Sequence, residues 1–317
     1  MNESIKFALI FPGQGSQVVG MGKELAETYP EARETFEEAD YVLGYKLSQL
    51  CFEGPEDQLR LTEITQPAIL ATSVAALRVL QSRIPKPNFV CGHSLGEYSA
   101  HVCAGTFCFA DAVRTVRNRG KYMQEAVPVG VGSMAAILGM EFAKVEAVCQ
   151  DAAQGEVCSP ANINSPEQIV ISGNTAAVER ATKIADERGA KRAKVLPVSA
   201  PFHCSLMKPA QDRLENDLKK VTISKPVYPV ACNVDAEMVS DGNRALHTLV
   251  RQVTGSVKWE QCMRLLIAEG VDTSIEVGPG KVLCGLMRQI DRSKTCMNVG
   301  DEASLTKTLE ALAKVNA

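Results

Sequence analysis

Phe89-Val90-Cys91-Gly92-His93-Ser94-Leu95-Gly96-Glu97 is the stretch from which the rest of the chain is read. An apolar run enters a G-x-S-x-G pentapeptide, and a helix-compatible segment, residues 97–104, follows. That order is strand, sharp turn, helix. A serine at the centre of such a turn has its hydroxyl exposed at the carboxyl end of a sheet, and the flanking glycines leave room for the strained backbone. The N–H of Leu95, opening the helix, would point at an oxygen that gains charge when Ser94 attacks. The competing account is a small-residue turn in which Ser94 only caps the helix. The strand before it and the helix after it favour the nucleophile.

Bulk properties narrow the class. A chain of 317 residues can bury a large core and carry a second subdomain. With 45% hydrophobic and 22% charged residues it has the balance of an ordinary globular protein. A net charge of −3 argues against nucleic acid as the main partner. The polar start, residues 1–6, precedes only a short apolar run, so neither a signal peptide nor a membrane span is expected. Eleven cysteines are scattered without a C-x-x-C pair, and none of the four histidines is paired with one at metal-ligand spacing. Buried reduced thiols in a cytoplasmic protein, with no metal, are the expectation.

Residues 6–11 read as a first buried strand ending in Pro12-Gly13-Gln14-Gly15-Ser16-Gln17. Val18 stands where a dinucleotide fingerprint needs its third glycine, and no Gly-Lys-Ser/Thr follows. The loop is better read as bare backbone approaching the Ser94 turn, with the N–H of Gln14 as a second oxyanion donor beside that of Leu95. Helical spacing covers residues 24–43, 66–84 and 111–123. In the third, Ala112, Val116, Arg119 and Met123 share a face, while Arg114, Arg117 and Lys121 lie opposite. Arg119 therefore sits in an apolar stripe. It either snorkels, meets a structural carboxylate, or waits for a specific anion such as a substrate carboxylate, and the last is favoured.

Between residues 129 and 199 the pattern is strand 133–139, helix 141–153, strands 156–163 and 168–172, helix 175–188 and strand 191–197. That β-α-β-β-α-β order is ferredoxin-like. The fold class expected is α/β: a larger hydrolase-like domain with a parallel sheet, residues 1–128 and 200–317, into which a ferredoxin-like small subdomain, 129–199, is inserted. The larger domain resumes at Ser199, with helices at 205–221 and 244–254, strands near 228–233 and 274–277, and a helix from 281.

Of the four histidines, His93 diverges from Ser94 at the turn and His101 lies roughly 10 Å further along the helix. His247 falls in a helical stretch. His203, after Pro201 at a strand-to-helix junction downstream of the nucleophile, is the best base. No Asp or Glu stands where a hydrolase triad would place its acid. A distant acid or a backbone carbonyl must hold the imidazole.

With the 11–17 loop, Gly92-His93-Ser94-Leu95-Gly96-Glu97-Tyr98, Arg119-Gly120-Lys121-Tyr122-Met123 and Ala200-Pro201-Phe202-His203, the chain resembles the malonyl-CoA:acyl carrier protein transacylases of type II fatty acid synthesis. The resemblance covers nearly the whole chain, extending to Asn162-Ile163-Asn164-Ser165-Pro166 and Glu276-Val277-Gly278-Pro279-Gly280. It implies Ser94 as nucleophile, His203 as base, Gln14 and Leu95 as oxyanion donors, and Arg119 as the holder of the malonyl carboxylate. It further implies that the main-chain carbonyl of Gln252 steadies His203, which would account for the missing acid. Met123, Asn162 and Phe202 fall among the implied substrate-binding residues, Phe202 being the version that goes with malonyl rather than branched groups. Ser256 departs from the proline usual there. The implied partners are malonyl-CoA and acyl carrier protein, with no cofactor beyond the coenzyme A thioester and no membrane. Carrier proteins of this kind are acidic, and Lys191, Arg192 and Lys194 are candidates for a docking patch, or simply a solvated strand edge. The rival enzyme is a serine thioesterase or esterase on the same elbow, which would need a true acid behind His203. A non-catalytic carrier-protein binder is the third reading.

Overall fold

The computed structural model describes residues 6–198 and 200–315. Ser199 and the polar start up to Ile5 lie outside the described residues. Ten strands are present among the described residues: β1 (Phe7–Phe11), β2 (Phe89–Gly92), β3 (Gly132–Leu138), β4 (Cys158–Ser165), β5 (Gln168–Asn174), β6 (Arg192–Val195), β7 (Val230–Cys232), β8 (Glu237–Val239), β9 (Thr273–Val277) and β10 (Thr295–Val299). They form a six-stranded sheet in the order β10-β9-β1-β2-β7-β8 and a four-stranded sheet in the order β4-β5-β3-β6.

In the large sheet every pair is parallel except β7 with β8. The run Phe-Ala-Leu-Ile-Phe of β1 is buried along its whole length because helices cover both faces of the sheet. Leu9 and Phe11 pack into one core and Ala8 and Ile10 into another, the side chains alternating across the strand. Parallel pairing brings the carboxyl ends of β1, β2, β7 and β9 to one edge, the edge where open α/β sheets bind ligands. The loop after β1, the turn after β2 and Asn233 after β7 therefore meet.

The four-stranded sheet is wholly antiparallel. Its elements run strand, helix (Phe142–Ala153), strand, strand, helix (Thr175–Glu187), strand. Alternation divides its side chains. Ala135, Ile137, Ile169 and Ile171 pack with Val145, Val148, Val178 and Ala181 of the two helices, while Met134, Ala161 and Val170 join the main core. A bridge from Asn162 to Val257 ties this sheet to the rest.

Several elements differ from the sequence expectation. Residues 24–43 form two helices, Lys23–Thr28 and Pro30–Leu43, because Pro30 opens the second and forces Tyr29 into extended backbone. The 66–84 helix begins earlier, at Thr62, and carries Pro67 inside it. The 205–221 helix is a short 3-10 turn, Ser205–Met207, followed by Lys208–Leu218. Helices Leu47–Glu53, Trp259–Ala268 and Glu302–Val315 and strands β8 and β10 are additional. Among the described residues no helix is long and apolar enough to cross a membrane.

Candidate active site

Ser94 has φ of 52°, the left-handed region that non-glycine residues rarely occupy. Its neighbours show why the turn is spelled G-x-S-x-G. A methyl group on Gly92 would lie 1.9 Å from the Gly96 carbonyl oxygen, and one on Gly96 would lie 2.1 Å from that of Phe11. Neither position accepts a side chain. The turn is closed by Gly96 N–H donating to the His93 carbonyl and Glu97 N–H to the Ser94 carbonyl, while Ser94 N–H donates to Asn233 Oδ1 at 2.7 Å. The N–H of Leu95 takes part in none of these bonds. The loop after β1 comes against this turn, since a methyl on Gly13 would sit 2.4 Å from the His93 carbonyl oxygen. Gln14 is exposed beside it.

Ser94 Oγ lies 2.8 Å from His203 Nε2. His203 also has positive φ, 60°, between Phe202 and the 3-10 turn. Its Nδ1 donates to the main-chain oxygen of Gln252 at 2.9 Å. That carbonyl is available because Gln252 is the last residue of the helix Gly242–Gln252, whose final carbonyls have no intrahelical partner. With the Nδ1 proton held there, Nε2 is the acceptor facing serine. Burial, with the Arg119 charge added, pushes the imidazole down to about 3, so it is neutral at ordinary pH.

Arg119 is 2% exposed. One terminal nitrogen donates to Gln66 Oε1 at 2.8 Å, and the other to Gln252 Oε1 at 2.9 Å and to Ser94 Oγ at 3.1 Å. The guanidinium lies over the Tyr98 ring, 5.6 Å from its centre. Its partners are neutral oxygens rather than a structural carboxylate, and its Nε is buried without a hydrogen-bond partner. Burial pulls Arg119 below its ordinary pKa, yet an arginine keeps its charge. The result is a dry cation with donor capacity to spare, 3.1 Å from a serine oxygen. Arg114 is exposed, and Arg117 and Lys121 are half-buried.

The carboxylate of Glu97 is fully buried beneath the turn. Its Oε2 accepts from the Asn233 N–H at 3.0 Å and from Gln252 Nε2 at 2.7 Å. The same Gln252 nitrogen donates to the Ser94 carbonyl at 2.9 Å, and Asn233 Nδ2 donates to the Gly92 carbonyl at 2.8 Å. Burial lifts Glu97 to about 7 against those hydrogen bonds and the Arg119 charge.

Ser94, His203, Arg119 and Gln252 are thus joined in one hydrogen-bonded cluster, and Leu95 and Gln14 flank it. Met123 is buried next to it through Gln66, whose Nε2 is 3.8 Å from the Met123 sulfur. Phe202 is buried beside His203. Asn162 stands apart: its Oδ1 is buried without a partner, and no hydrogen bond joins it to Ser94, His203 or Arg119. Ser256 donates to the Pro160 carbonyl at 2.6 Å, at the register shift of β4. Arg192 and Lys194 are exposed on β6 and Lys191 is exposed just before it, its Nζ donating to Glu167 at 2.7 Å.

The other histidines go where their sequence positions direct them. His93 Nε2 is 2.8 Å from Asn164 Oδ1 and its ring lies 5.5 Å from that of Trp259, turned away from Ser94 Oγ. His101 is buried against Thr106, and His247 is exposed. Sequence reasoning misses Gln66, Asn233 and the part Glu97 takes. The signal available for Glu97 is its place in the elbow motif. Gln66 and Asn233 are single polar residues in or beside apolar runs, without a pattern of their own.

The chain matches the family model described as an acyl transferase domain over residues 8–310. It is 49% identical over 306 residues to the malonyl CoA-acyl carrier protein transacylase of Escherichia coli (strain K12), covering 96% of this chain and 99% of that protein. The chain belongs to the malonyl CoA-acyl carrier protein transacylase family. Among solved members, the malonyl CoA-acyl carrier protein transacylase from Coxiella burnetii superposes with a TM-score of 0.95 at 43% identity, covering 97% of this chain and 98% of that one. A malonyl-transacylase solved in complex with its type II PKS acyl-carrier protein gives 0.94 at 46% identity, covering 96% and 99%.

Proposed function

We propose that this chain moves a malonyl group from malonyl-CoA to the phosphopantetheine thiol of acyl carrier protein, through an ester on Ser94, for fatty acid synthesis. The observation that carries the reading is the buried Arg119 guanidinium 3.1 Å from a serine oxygen that is itself 2.8 Å from a neutral imidazole. A cation there selects an acyl group with a free carboxylate at its far end.

His203 Nε2 takes the proton of Ser94 as Oγ attacks the thioester carbon. The N–H groups of Leu95 and Gln14 receive the developing oxyanion. As the carbon–sulfur bond breaks, His203 returns its proton to the departing coenzyme A sulfur. The malonyl ester remains, its carboxylate on Arg119. In the second half the carrier thiol gives its proton to His203 and attacks the ester carbon, and Ser94 Oγ leaves with that proton. The Gln252 carbonyl, at the negative end of its helix, holds the imidazolium through both halves. Coenzyme A enters as part of the substrate, and the scheme uses no other cofactor.

Supporting parts belong to the same proposal. Phe202 and Met123 shape the acyl pocket, and Asn162, whose buried Oδ1 has no partner, is a substrate-binding residue in the same scheme. The chain divides into a hydrolase-like domain, 1–128 with 200–317, and a ferredoxin-like subdomain, 129–199. The separate apolar cluster under the four-stranded sheet and its strand order support that division. The setting is cytoplasmic, in keeping with eleven unpaired cysteines.

A thioesterase would set a carboxylate behind His203, and the group there is a main-chain carbonyl. The experiment that tests the reading follows radiolabelled malonyl-CoA with and without acyl carrier protein. Transfer to the carrier should outrun release of free malonate by about a hundredfold. Malonate release at a rate equal to transfer would make the chain a hydrolase.

A further inference from the structure

We propose that Glu97 is the positioning residue of this site, acting through the Gln252 side chain on both Arg119 and His203. The inference rests on the roles of Ser94 and Arg119 given above.

Gln252, like Ser94, touches both His203 and Arg119, and it does so from behind them. Its main-chain oxygen holds His203 Nδ1, and its side-chain oxygen holds Arg119. An amide has a donor end and an acceptor end, and the environment decides which way it faces. Here the nitrogen lies against three acceptors, Glu97 Oε2 at 2.7 Å, the Ser94 carbonyl at 2.9 Å and, more distantly, Asn233 Oδ1 at 3.4 Å, and the oxygen lies against the guanidinium. Turned over, the amide would put its N–H atoms against a cation and its oxygen against a carboxylate. Glu97 supplies the nearest of the three acceptors, fully buried, where a hydrogen bond counts for more than it does in water.

The same carboxylate oxygen takes the Asn233 N–H, and Asn233 Oδ1 takes the Ser94 N–H. One atom thus joins the helix after the elbow, the end of β7 and the end of the helix Gly242–Gln252. The other oxygen, Oε1, is buried and has no partner, so the second half of the carboxyl group adds nothing to stability. A group buried purely for packing has no need of a carboxylate. Glu97 makes no hydrogen bond to Ser94 Oγ or to the His203 ring; its carboxylate bonds go to Asn233 and Gln252. It sets where Arg119 and His203 point.

The test compares single-turnover acylation by malonyl-CoA and acetyl-CoA in the wild-type chain, Glu97→Ala and Glu97→Gln. Loss of the acceptor releases Gln252, so Glu97→Ala should slow acetylation about tenfold through His203 and malonylation about a hundredfold through His203 and Arg119 together. The malonyl-to-acetyl ratio then falls about tenfold. Glu97→Gln keeps an oxygen at the Oε2 position and should hold that ratio within about threefold of wild type. Should Glu97→Ala fail to fold, Glu97→Met fills the space without an acceptor and takes its place. A merely structural role would slow both thioesters equally. An unchanged ratio in the folded Ala or Met variant, or a Gln variant as damaged as either, overturns the proposal.

A readout without substrate keeps the two claims apart. The His203 Nδ1–H proton, assigned in NMR spectra by its loss in His203→Gln, should keep its shift in Glu97→Gln and move in Glu97→Ala or Glu97→Met. If that proton does not move, Glu97 does not position His203. If it moves while the wild-type chain takes no malonyl group, the positioning stands and the reading of function falls.

Discussion

Two histidines in this chain are buried and displaced in the same direction, yet their surroundings differ. His203 and His101 are both pushed down to about 3, chiefly by burial. His101 has its Nδ1 3.1 Å from the Thr106 hydroxyl, an edge-on contact with Phe107, and an Nε2 with no partner. His203 has a serine oxygen at one nitrogen and a helix-terminal carbonyl at the other. A displaced pKa therefore does not mark a base. What separates the two pockets is direction: in one, a fixed tautomer aims a lone pair at a serine hydroxyl, and in the other a neutral ring fills space.

The sharpest contrast comes from removing each ring. His203→Ala should lower the rate of Ser94 acylation by about a thousandfold or more, as loss of the base does in serine enzymes. His101→Ala should leave that rate within about threefold and cost about 2 kcal/mol of stability from the cavity. Chemical quench and urea unfolding on both variants check this. A large rate loss in His101→Ala with little effect in His203→Ala would exchange their roles.

Next in size is the cation that distinguishes the two pockets. Arg119→Ala should reduce the preference for malonyl-CoA over acetyl-CoA by about a hundredfold, the worth of a buried charge-assisted pair. Full selectivity in that variant would move the carboxylate clamp elsewhere.

The pH profile gives a smaller effect of definite sign. The base works when neutral, and its neutral fraction falls as pH drops through its pKa. Since burial and Arg119 lower that pKa to about 3 from 6.5, the acid limb of kcat/KM moves down. Lowering pH from 7.5 to 5.5 should change kcat/KM less than twofold, whereas an ordinary histidine would lose about tenfold. An acid limb near 6.5 would mean that His203 is not desolvated in the working enzyme.

The comparison also shows what a sequence can and cannot display. The elbow is legible because backbone geometry forces the residue types: only glycine fits at Gly92 and Gly96. Arg119 is legible because a charge in an apolar helical stripe breaks the period. The helix Trp259–Ala268 carries a readable period in Trp259, Cys262, Met263 and Leu266, all buried, although the sequence reading leaves it out. The three-residue β8 and the half-exposed edge strand β10 are too short or too mixed to show alternation. Gln66, Asn233 and the Gln252 side chain act through contacts between residues up to 158 apart in sequence, and no local pattern announces such a contact. Gln252 shows this within one residue. Its main-chain role follows from the family resemblance, while the role of its amide needs coordinates.

A salt-dependent effect concerns the exposed edge strand β6. Arg192→Glu with Lys194→Glu should raise KM for an acidic carrier protein about fivefold at low salt, leave malonyl-CoA acylation alone, and fade as salt is added. No change in carrier KM would leave β6 as a solvated edge.

Intact-protein mass spectrometry after brief exposure to malonyl-CoA alone tests the whole account most directly. The chain should gain one malonyl group, mapped to the peptide containing Ser94, and Ser94→Ala should gain none. An unmodified wild-type chain, or an adduct that persists in Ser94→Ala, would contradict it.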